Sequence, residues 1–248
     1  MSKKVIAINS SKRKKNTYGI LRKLQEELKK EQIEVEVINL FDYDIKECYG
    51  CEQCLRKGKC HINDDMDLLM DKLKDSDGII VGTPVYMGGL SGKLKVFIDR
   101  TCKWFHRPEL VGVPGLIVAT TAASGLKDTF KSLDKLLIQW GAFPTGSIGR
   151  TASNSKNPIR YEEYKNFLNH LSMKKEDYKP TLNQLMMFQI QKVLAIKILD
   201  LDKEYWQEKN WTNNNYFFTC KISQVKKGVT KSFYKVLNKR VRKVENEE

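Results

Sequence analysis

The sequence predicts an α/β fold in which helices cover both faces of a five-stranded parallel sheet. Short runs of aliphatic residues alternate with amphipathic stretches through roughly residue 150. The runs at residues 5–8, 79–81 and 116–119 contain no polar residue, which is typical of strands that are buried on both faces. Parallel strands need crossover connections, and the amphipathic stretches are suited to provide them as helices. We therefore expect a doubly wound parallel sheet.

The aliphatic runs mark the strands in order. The first, Val5-Ile6-Ala7-Ile8, is entirely apolar, and the third, Ile79-Ile80-Val81, is flanked by glycines. Each run is short, as expected for a buried strand. The predicted strands are residues 5–8, 33–40, 78–82, 116–119 and 143–148.

Helices are predicted between the strands because hydrophobic residues recur there every three or four positions. Ile20, Leu24 and Leu28 show this spacing in the first helix. The predicted helices are residues 20–28, 66–73, 94–104, 126–140 and, after a polar linker at 150–158, residues 159–171.

The composition indicates a globular protein. Charged residues make up 30% of the 248 positions and hydrophobic residues 41%, and no apolar run approaches the roughly 18 residues that a membrane span needs. No secretory signal follows Met1-Ser2-Lys3-Lys4, so we expect a cytoplasmic protein. The net charge of +14 and the isoelectric point near 9.4 predict an affinity for anions, which include nucleotide phosphates, acidic proteins, nucleic acid and anionic lipid.

Three loops rich in small and polar residues follow predicted strands. They comprise residues 9–17, 82–93 and 120–125. The carboxyl ends of parallel strands meet at one edge of the sheet, where ligands bind. The first loop can offer N–H groups and a helix dipole to a phosphate, although an ordinary helix cap beside a solvated basic run has the same pattern. Glycines and Tyr86 in the second loop suit a flat ring, so the three loops together favour a flavin pocket.

These loops resemble those of the NADPH-dependent FMN reductases. Asn9-Ser10-Ser11-Lys12 with Asn16-Thr17 resembles the family's Gly-Ser-Pro-Arg…Asn-Thr phosphate loop. Gly82-Thr83-Pro84-Val85-Tyr86, with Lys95 and Asp99-Arg100 downstream, resembles its Gly-Ser-Pro-x-Tyr…Lys…Asp-Arg segment. The resemblance covers roughly residues 3–150. It implies a flavodoxin-like fold with strand order 2-1-3-4-5, noncovalent FMN, and NAD(P)H as co-substrate.

The resemblance also implies which residues bind the cofactor. The phosphate would be held by Ser10, Ser11, Lys12, Asn16 and Thr17. The ring would be lined by Thr83, Pro84, Val85, Tyr86, Met87 and Gly88, with Thr120, Thr121 and Gly125 on its other side. Lys12 stands where the family has Arg, so a point charge replaces a bidentate guanidinium and FMN affinity is expected to be ordinary or weak. No catalytic residue is predicted, because the flavin carries the chemistry.

Four of the six cysteines fall in one compact run. Cys48, Cys51, Cys54 and Cys60 have the spacing C-x2-C-x2-C-x5-C, which predicts ligands of a [4Fe–4S] cluster. Gly50 and Gly58 would allow the tight turns that such a loop needs. With these cysteines, the nearest relatives within the family are the iron–sulfur flavoproteins. A loop that has lost its cluster is an open alternative, and zinc ranks below both because zinc sites usually use two separated pairs.

Other reactive side chains receive structural interpretations. Lys95, Asp99 and Arg100 are expected on an exposed helix with local ion pairs. Cys102 and Cys220 are expected to be buried thiols. The three histidines, at positions 61, 106 and 170, fit no nucleophile or metal arrangement.

The carboxyl-terminal part is predicted to be a helical, basic extension. We expect a flavodoxin-like domain over residues 1–172 and the extension over residues 173–248. Its apolar segments at 185–188 and 193–199 should be buried, and its aromatic cluster at 205–218 should form core, an interface or a lid. The last segment has an apolar stripe at helical spacing among nine Lys and Arg residues. The stripe consists of Val225, Val229, Phe233, Leu237 and Val241.

The predicted function is an FMN-dependent oxidoreductase that uses NAD(P)H to reduce flavin, quinone or another small acceptor. One alternative is an iron–sulfur flavoprotein that carries electrons from a ferredoxin-like donor. A second is a nucleic-acid- or membrane-binding module that uses the basic tail, although the three loops argue against it. We expect a small-molecule acceptor or a redox protein as partner and a homo-oligomer, a dimer or tetramer.

Overall fold

A five-stranded parallel sheet forms the centre of the structure. The computed structural model describes residues 2–243. The strands are β1 (Lys3–Asn9), β2 (Ile33–Asn39), β3 (Gly78–Pro84), β4 (Pro114–Thr121) and β5 (Phe143–Thr151). They are ordered β2-β1-β3-β4-β5, which confirms the predicted flavodoxin-like topology. The order reverses between β1 and β3, so a crevice opens beyond their carboxyl ends.

Helices cover both faces of the sheet. They are α1 (Asn16–Lys30), α2 (Gln53–Arg56), α3 (Met66–Lys74), α4 (Gly92–Arg100), α5 (Lys103–His106), α6 (Leu126–Gln139), α7 (Lys165–Leu171), α8 (Leu182–Lys197), α9 (Asp200–Glu208) and α10 (Gln224–Arg240). Helices α1 and α7 pack on one face, whereas α3, α4 and α6 pack on the other. Successive strand residues alternate between these two cores, so Val5 and Ala7 lie in one and Ile6 and Ile8 in the other.

The prediction of a single helix over residues 94–104 is wrong, because the structure has two helices in this segment. Helix α4 ends at Arg100, and α5 begins at Lys103. The hydroxyl of Thr101 donates to the carbonyl of Ile98 at 2.7 Å and accepts from the indole Nε1 of Trp140 at 2.9 Å. These bonds hold Thr101 against the core and fix the break between the helices.

The extension has a core of its own, built mainly from aromatic residues. Phe188 of α8 contacts Trp206 of α9, whose ring packs edge-on against Trp211. Tyr178, Tyr216 and Phe217 complete this third core. The aromatic cluster is therefore core, one of the roles expected for it. The boundary after residue 172 stays a prediction.

The predicted apolar stripe of the last helix is only partly correct. Thr230 is buried, whereas Val225 and Val229 are 77% and 46% exposed. The Lys226 ammonium donates to the Pro180 carbonyl at 2.8 Å, so α10 is rotated and buries the edge that carries Lys226 and Thr230. None of the helices within residues 2–243 has the length and apolar character needed to cross a membrane.

Candidate functional site

A cavity of about 320 Å³ opens at the carboxyl edge of the sheet, where the loops after β1, β3 and β4 converge. This is the switch point at which the strand order reverses. Its lining residues are Ser11, Arg13, Lys15, Asn16, Thr17, Pro84, Val85, Tyr86, Thr120, Thr121, Ala122 and Ala152.

The amino terminus of α1 forms one end of this cavity. The first N–H groups of any α-helix lack acceptors within the helix. No side chain caps this end of α1, and its first turn carries no acidic residue. Arg13 and Lys15 add positive charge beside it. This end of the cavity therefore has the donors and the charge that a phosphate requires.

The loop after β3 forms the second wall. Tyr86 and Gly89 exchange two backbone hydrogen bonds of 3.0 Å around a turn at Met87 and Gly88, both of which have positive φ. Tyr86 is half exposed. The backbone N–H of Val85 donates to the carbonyl of Thr120 at 2.7 Å, which joins this loop to the third one.

Gly125 allows the second and third loops to pack closely. Its φ is +89°, and an added Cβ would lie 2.8 Å from Cγ1 of Val85 and 3.1 Å from Cα of Gly88. Any larger residue would separate the two loops. Gly125 thus supports the cavity from behind without lining it.

Buried hydroxyls hold the loops at their base. The Ser10 hydroxyl donates to the Gly82 carbonyl at 2.9 Å and accepts from the Ser91 hydroxyl at 2.9 Å. Thr83 is fully buried, and its hydroxyl donates to the Pro84 carbonyl. The hydroxyls of Thr17 and Thr120 lie 2.6 Å apart, which ties α1 to the end of β4.

The structure brings most of the predicted cofactor residues together. Ser11, Asn16, Thr17, Pro84, Val85, Tyr86, Thr120 and Thr121 line the cavity. The other six predicted residues do not line it: Ser10, Thr83 and Gly125 support the loops, Lys12 is exposed to solvent, and Met87 and Gly88 form the turn. Four lining residues were not predicted, namely Arg13, Lys15, Ala122 and Ala152. The basic run that contains Lys12 was the available signal for the first two.

The cysteine loop lies between β2 and α3. Cys48 and Cys51 are exposed, Cys54 and Cys60 are half-buried, and all six cysteines are free thiols. As predicted, Gly50 and Gly58 have positive φ, of 66° and 77°.

Three of the loop sulfurs have nitrogen neighbours. The N–H of Gly50 donates to Cys48 Sγ at 3.5 Å, Cys51 Sγ lies 3.6 Å from His61 Nδ1, and Arg100 donates to Cys60 Sγ at 3.6 Å. Hydrogen bonds to the sulfurs are a feature of protein-bound iron–sulfur clusters, so the four thiols and their neighbours suit such a cluster. Between residues 2 and 243, however, no three Cys, His, Asp or Glu side chains gather closely enough to hold a metal ion.

The prediction of an exposed helix with local ion pairs is correct for Lys95 and Asp99 but wrong for Arg100. Lys95 and Asp99 do form an exposed pair. Arg100 instead is buried, donates to the Lys46 carbonyl at 2.9 Å and forms an ion pair with the buried carboxylate of Asp64. Burial alone would raise the pKa of Asp64, but the hydrogen bonds from Arg100 lower it below its usual value.

Helix α4 separates the cysteine loop from the cavity. Ser91, which caps the amino terminus of α4, bonds to Ser10 beneath the cavity, whereas Arg100 in the last turn contacts Cys60. With a rise of 1.5 Å per residue, these ends are roughly 13 Å apart. The two candidate sites thus lie at opposite ends of one rigid helix.

Cys102 also differs from the sequence-based expectation, because it is exposed rather than buried. Its thiol interacts with the thiol of Cys54. This interaction, together with the nearby cations Arg107 and Lys103, lowers the pKa of Cys54 below that of an ordinary thiol. The same interaction raises the pKa of Cys102. The spacing of the four loop cysteines does not predict that Cys102 lies beside Cys54.

A buried acidic residue of the extension supports the same region. Asp202 of α9 is fully buried and lies 2.9 Å from His106 Nδ1 and 3.3 Å from Arg107 Nε. Arg107 in turn donates to the carbonyls of Cys54 at 2.6 Å and Leu55 at 3.2 Å. Arg107 therefore links Asp202 of the extension to the cysteine loop, which α9 also contacts directly through α2. His106 is structural, as the sequence suggested for lone histidines.

Comparisons with known proteins identify the family of this chain. The model of the NADPH-dependent FMN reductase family matches residues 3–155. An iron-sulfur flavoprotein of Archaeoglobus fulgidus is 46% identical over 98 residues, which are 40% of this chain and 48% of that protein. Another, from Methanocaldococcus jannaschii, is 38% identical over 162 residues, 60% of this chain and 81% of that protein.

Among solved structures, RosB with a bound flavin intermediate superposes with a TM-score of 0.58. The superposition covers 100% of this chain and 91% of that one, at 13% sequence identity. At this identity the likeness concerns the fold alone.

Proposed function

This chain belongs to the NADPH-dependent FMN reductase family, and from that premise we propose that it is an FMN-dependent oxidoreductase that reduces a small acceptor with NAD(P)H. The observation that carries the proposal is the cavity at the β1/β3 switch point. It joins an uncapped helix terminus to two loops of small residues. Flavin, quinone and similar compounds are the acceptors we propose.

Each part of the cavity has a role in this proposal. The first turn of α1, with Asn16, Thr17, Arg13 and Lys15 nearby, would hold the FMN phosphate. Residues 84–86 and 120–122 would contact the ring on its two sides. Bound FMN supplies the hydride and electron chemistry, whereas the protein supplies orientation and exclusion of water. A side-chain acid or base is not needed for that chemistry, and none is assigned.

Titration with FMN and riboflavin tests the phosphate assignment. The fluorescence of FMN should be quenched on binding, and the quenching should saturate. Riboflavin, which lacks the phosphate, should bind roughly tenfold more weakly or worse because it cannot form the charge-assisted bonds at α1. Flavin fluorescence measures both affinities under one set of conditions. Absence of saturable FMN binding would remove the basis of the proposed function.

We also propose that Cys48, Cys51, Cys54 and Cys60 hold a [4Fe–4S] cluster. Two observations support it. The four thiols share one loop, in which three of the sulfurs have nitrogen neighbours, and two relatives at 46% and 38% identity are named iron-sulfur flavoproteins. When bound, the cluster would exchange single electrons. The buried Arg100–Asp64 pair would hold the Cys60 side of the loop.

Anaerobic reconstitution tests the cluster proposal. Wild-type protein should retain about four iron and four sulfide per chain. Cys54→Ser should lose most of both, because one of the four thiolates is missing, whereas Cys220→Ser, a change outside the loop, should retain them. Iron and sulfide analysis after desalting provides the measurement. If the reconstituted wild-type protein retains no iron, the cysteine loop does not bind a cluster and this proposal is wrong.

The electron-carrier alternative is favoured by the same loop. In that case electrons would come from a ferredoxin-like protein, and NAD(P)H would reduce the flavin slowly or not at all. Whichever donor supplies the electrons, we propose that the protein forms a homo-oligomer. We also propose a redox protein as a partner and a division of the chain into residues 1–172 and 173–248.

A further inference from the structure

Cys102 lies outside the cysteine run but beside one of its members. Helix α2, which contains Cys54, packs against α5, which begins directly after Cys102. Arg107 fixes this arrangement, because its guanidinium donates to the carbonyls of Cys54 and Leu55 at 2.6 Å and 3.2 Å. Cys54 of α2 and Cys102, the residue before α5, therefore lie on two elements that pack together, and their thiols are close enough to interact.

The other thiols of the loop have different neighbours. Cys48 accepts from the N–H of Gly50, Cys51 lies beside His61, and Cys60 accepts from Arg100. Cys54 differs from them in its direct interaction with the thiol of Cys102, on which Cys48 acts only through a weaker electrostatic interaction. Cys102 is exposed and Cys54 half-buried, so a small oxidant can reach the pair.

We propose that Cys54 and Cys102 form a reversible disulfide, and that this disulfide and the cluster exclude each other. The second part rests on the proposed function, in which Cys54 is a cluster ligand. Hydrogen peroxide is the oxidant. One thiol loses its proton, and its thiolate attacks peroxide to give a sulfenic acid and hydroxide, which takes up that proton to become water. The other thiol then attacks the sulfenic sulfur, which forms the S–S bond and releases a second water. Both sulfurs are oxidised by one electron each, and peroxide is reduced to water.

The consequence is a redox-controlled cluster site. A Cys54 that is bonded to Cys102 cannot donate its sulfur to iron, so the loop retains three of its four ligands. A thiol reductant would release both sulfurs by exchange and restore the site.

The first experiment uses cluster-free, fully reduced protein treated with hydrogen peroxide without denaturant. Peptide mass mapping should find one disulfide that links Cys54 to Cys102, and a dithiol should reverse it. Cys54→Ser and Cys102→Ser should each abolish this linkage, whereas Cys220→Ser should leave it intact. A disulfide that joins Cys54 to Cys48, Cys51 or Cys60 while Cys102 keeps a free thiol would overturn the proposal.

The second experiment separates this inference from the cluster proposal. Reconstituted wild-type protein should form the Cys54–Cys102 linkage only as iron is released, and Cys102→Ser should retain as much iron as wild type. Linkage formed with iron fully retained would refute mutual exclusion, and loss of iron in Cys102→Ser would make Cys102 a ligand instead. Should wild-type protein bind no iron at all, the cluster proposal fails, while the mapped disulfide remains established by the first experiment.

Discussion

Asn16→Glu is expected to weaken FMN binding roughly 100-fold. Asn16 is the first residue of α1, lines the cavity and is exposed, so the glutamate can be accommodated without repacking. Its carboxylate would face the phosphate. Two unit charges 5 Å apart repel by about 3 kcal/mol at an effective dielectric of 20, and about 1.4 kcal/mol corresponds to tenfold in affinity. Fluorescence titration measures the change.

The design separates phosphate repulsion from damage to the fold. An acidic residue in the first turn favours the helix, so the apo variant should be at least as stable as wild type. Asn16→Gln keeps the side chain neutral and should bind FMN within a few-fold of wild type. Riboflavin should bind Asn16→Glu as well as it binds wild type. An equal loss for riboflavin would show that Asn16 contacts the ring region instead.

Asp202→Ala is expected to lower the free energy of unfolding by about 3–5 kcal/mol. Removing one member of a buried ion pair leaves its partner charged and unpaired. Here the carboxylate is fully buried between His106 and Arg107, and Arg107 also bonds to two carbonyls of the cysteine loop. Urea unfolding followed by circular dichroism provides the measurement.

Asp177→Ala is the matched control. Asp177 also belongs to the carboxyl-terminal part and pairs with Lys221 at 2.7 Å, but both side chains are more than half exposed. Exposed pairs contribute about 0–1 kcal/mol, so this variant should unfold nearly as wild type does. Similar losses for both variants would mean that burial of Asp202 does not decide its contribution.

Much of the fold followed from periodicity in the sequence. Apolar runs such as Val5–Ile8 and Ile79–Val81 predicted strands, because a chain segment buried on both faces must be apolar throughout. The position of the cavity followed as well. Parallel strands direct their carboxyl ends to one edge, so the loops after β1, β3 and β4 must converge whatever their side chains are.

The local orientation of side chains was harder to predict. Lys12, Arg13 and Lys15 belong to one basic run, and the resemblance to the family assigned the first to the phosphate. The structure directs Arg13 and Lys15 to the cavity and leaves Lys12 in solvent. A short loop has no repeating period, so its backbone dihedrals decide which residues point inward.

The sequence alone determined the sheet, its covering helices, the cavity edge and the compact set of four cysteines, because each is encoded by neighbouring residues. The ion pairs and the thiol pair around those cysteines were decided by the tertiary structure alone. Arg100 meets Asp64 from 36 positions away, and His106 meets Asp202 from 96. Cys102 meets Cys54 because α2 packs on α5. Such contacts have no signature in local spacing, since they arise only when separate helices are packed together and buried charges must find partners.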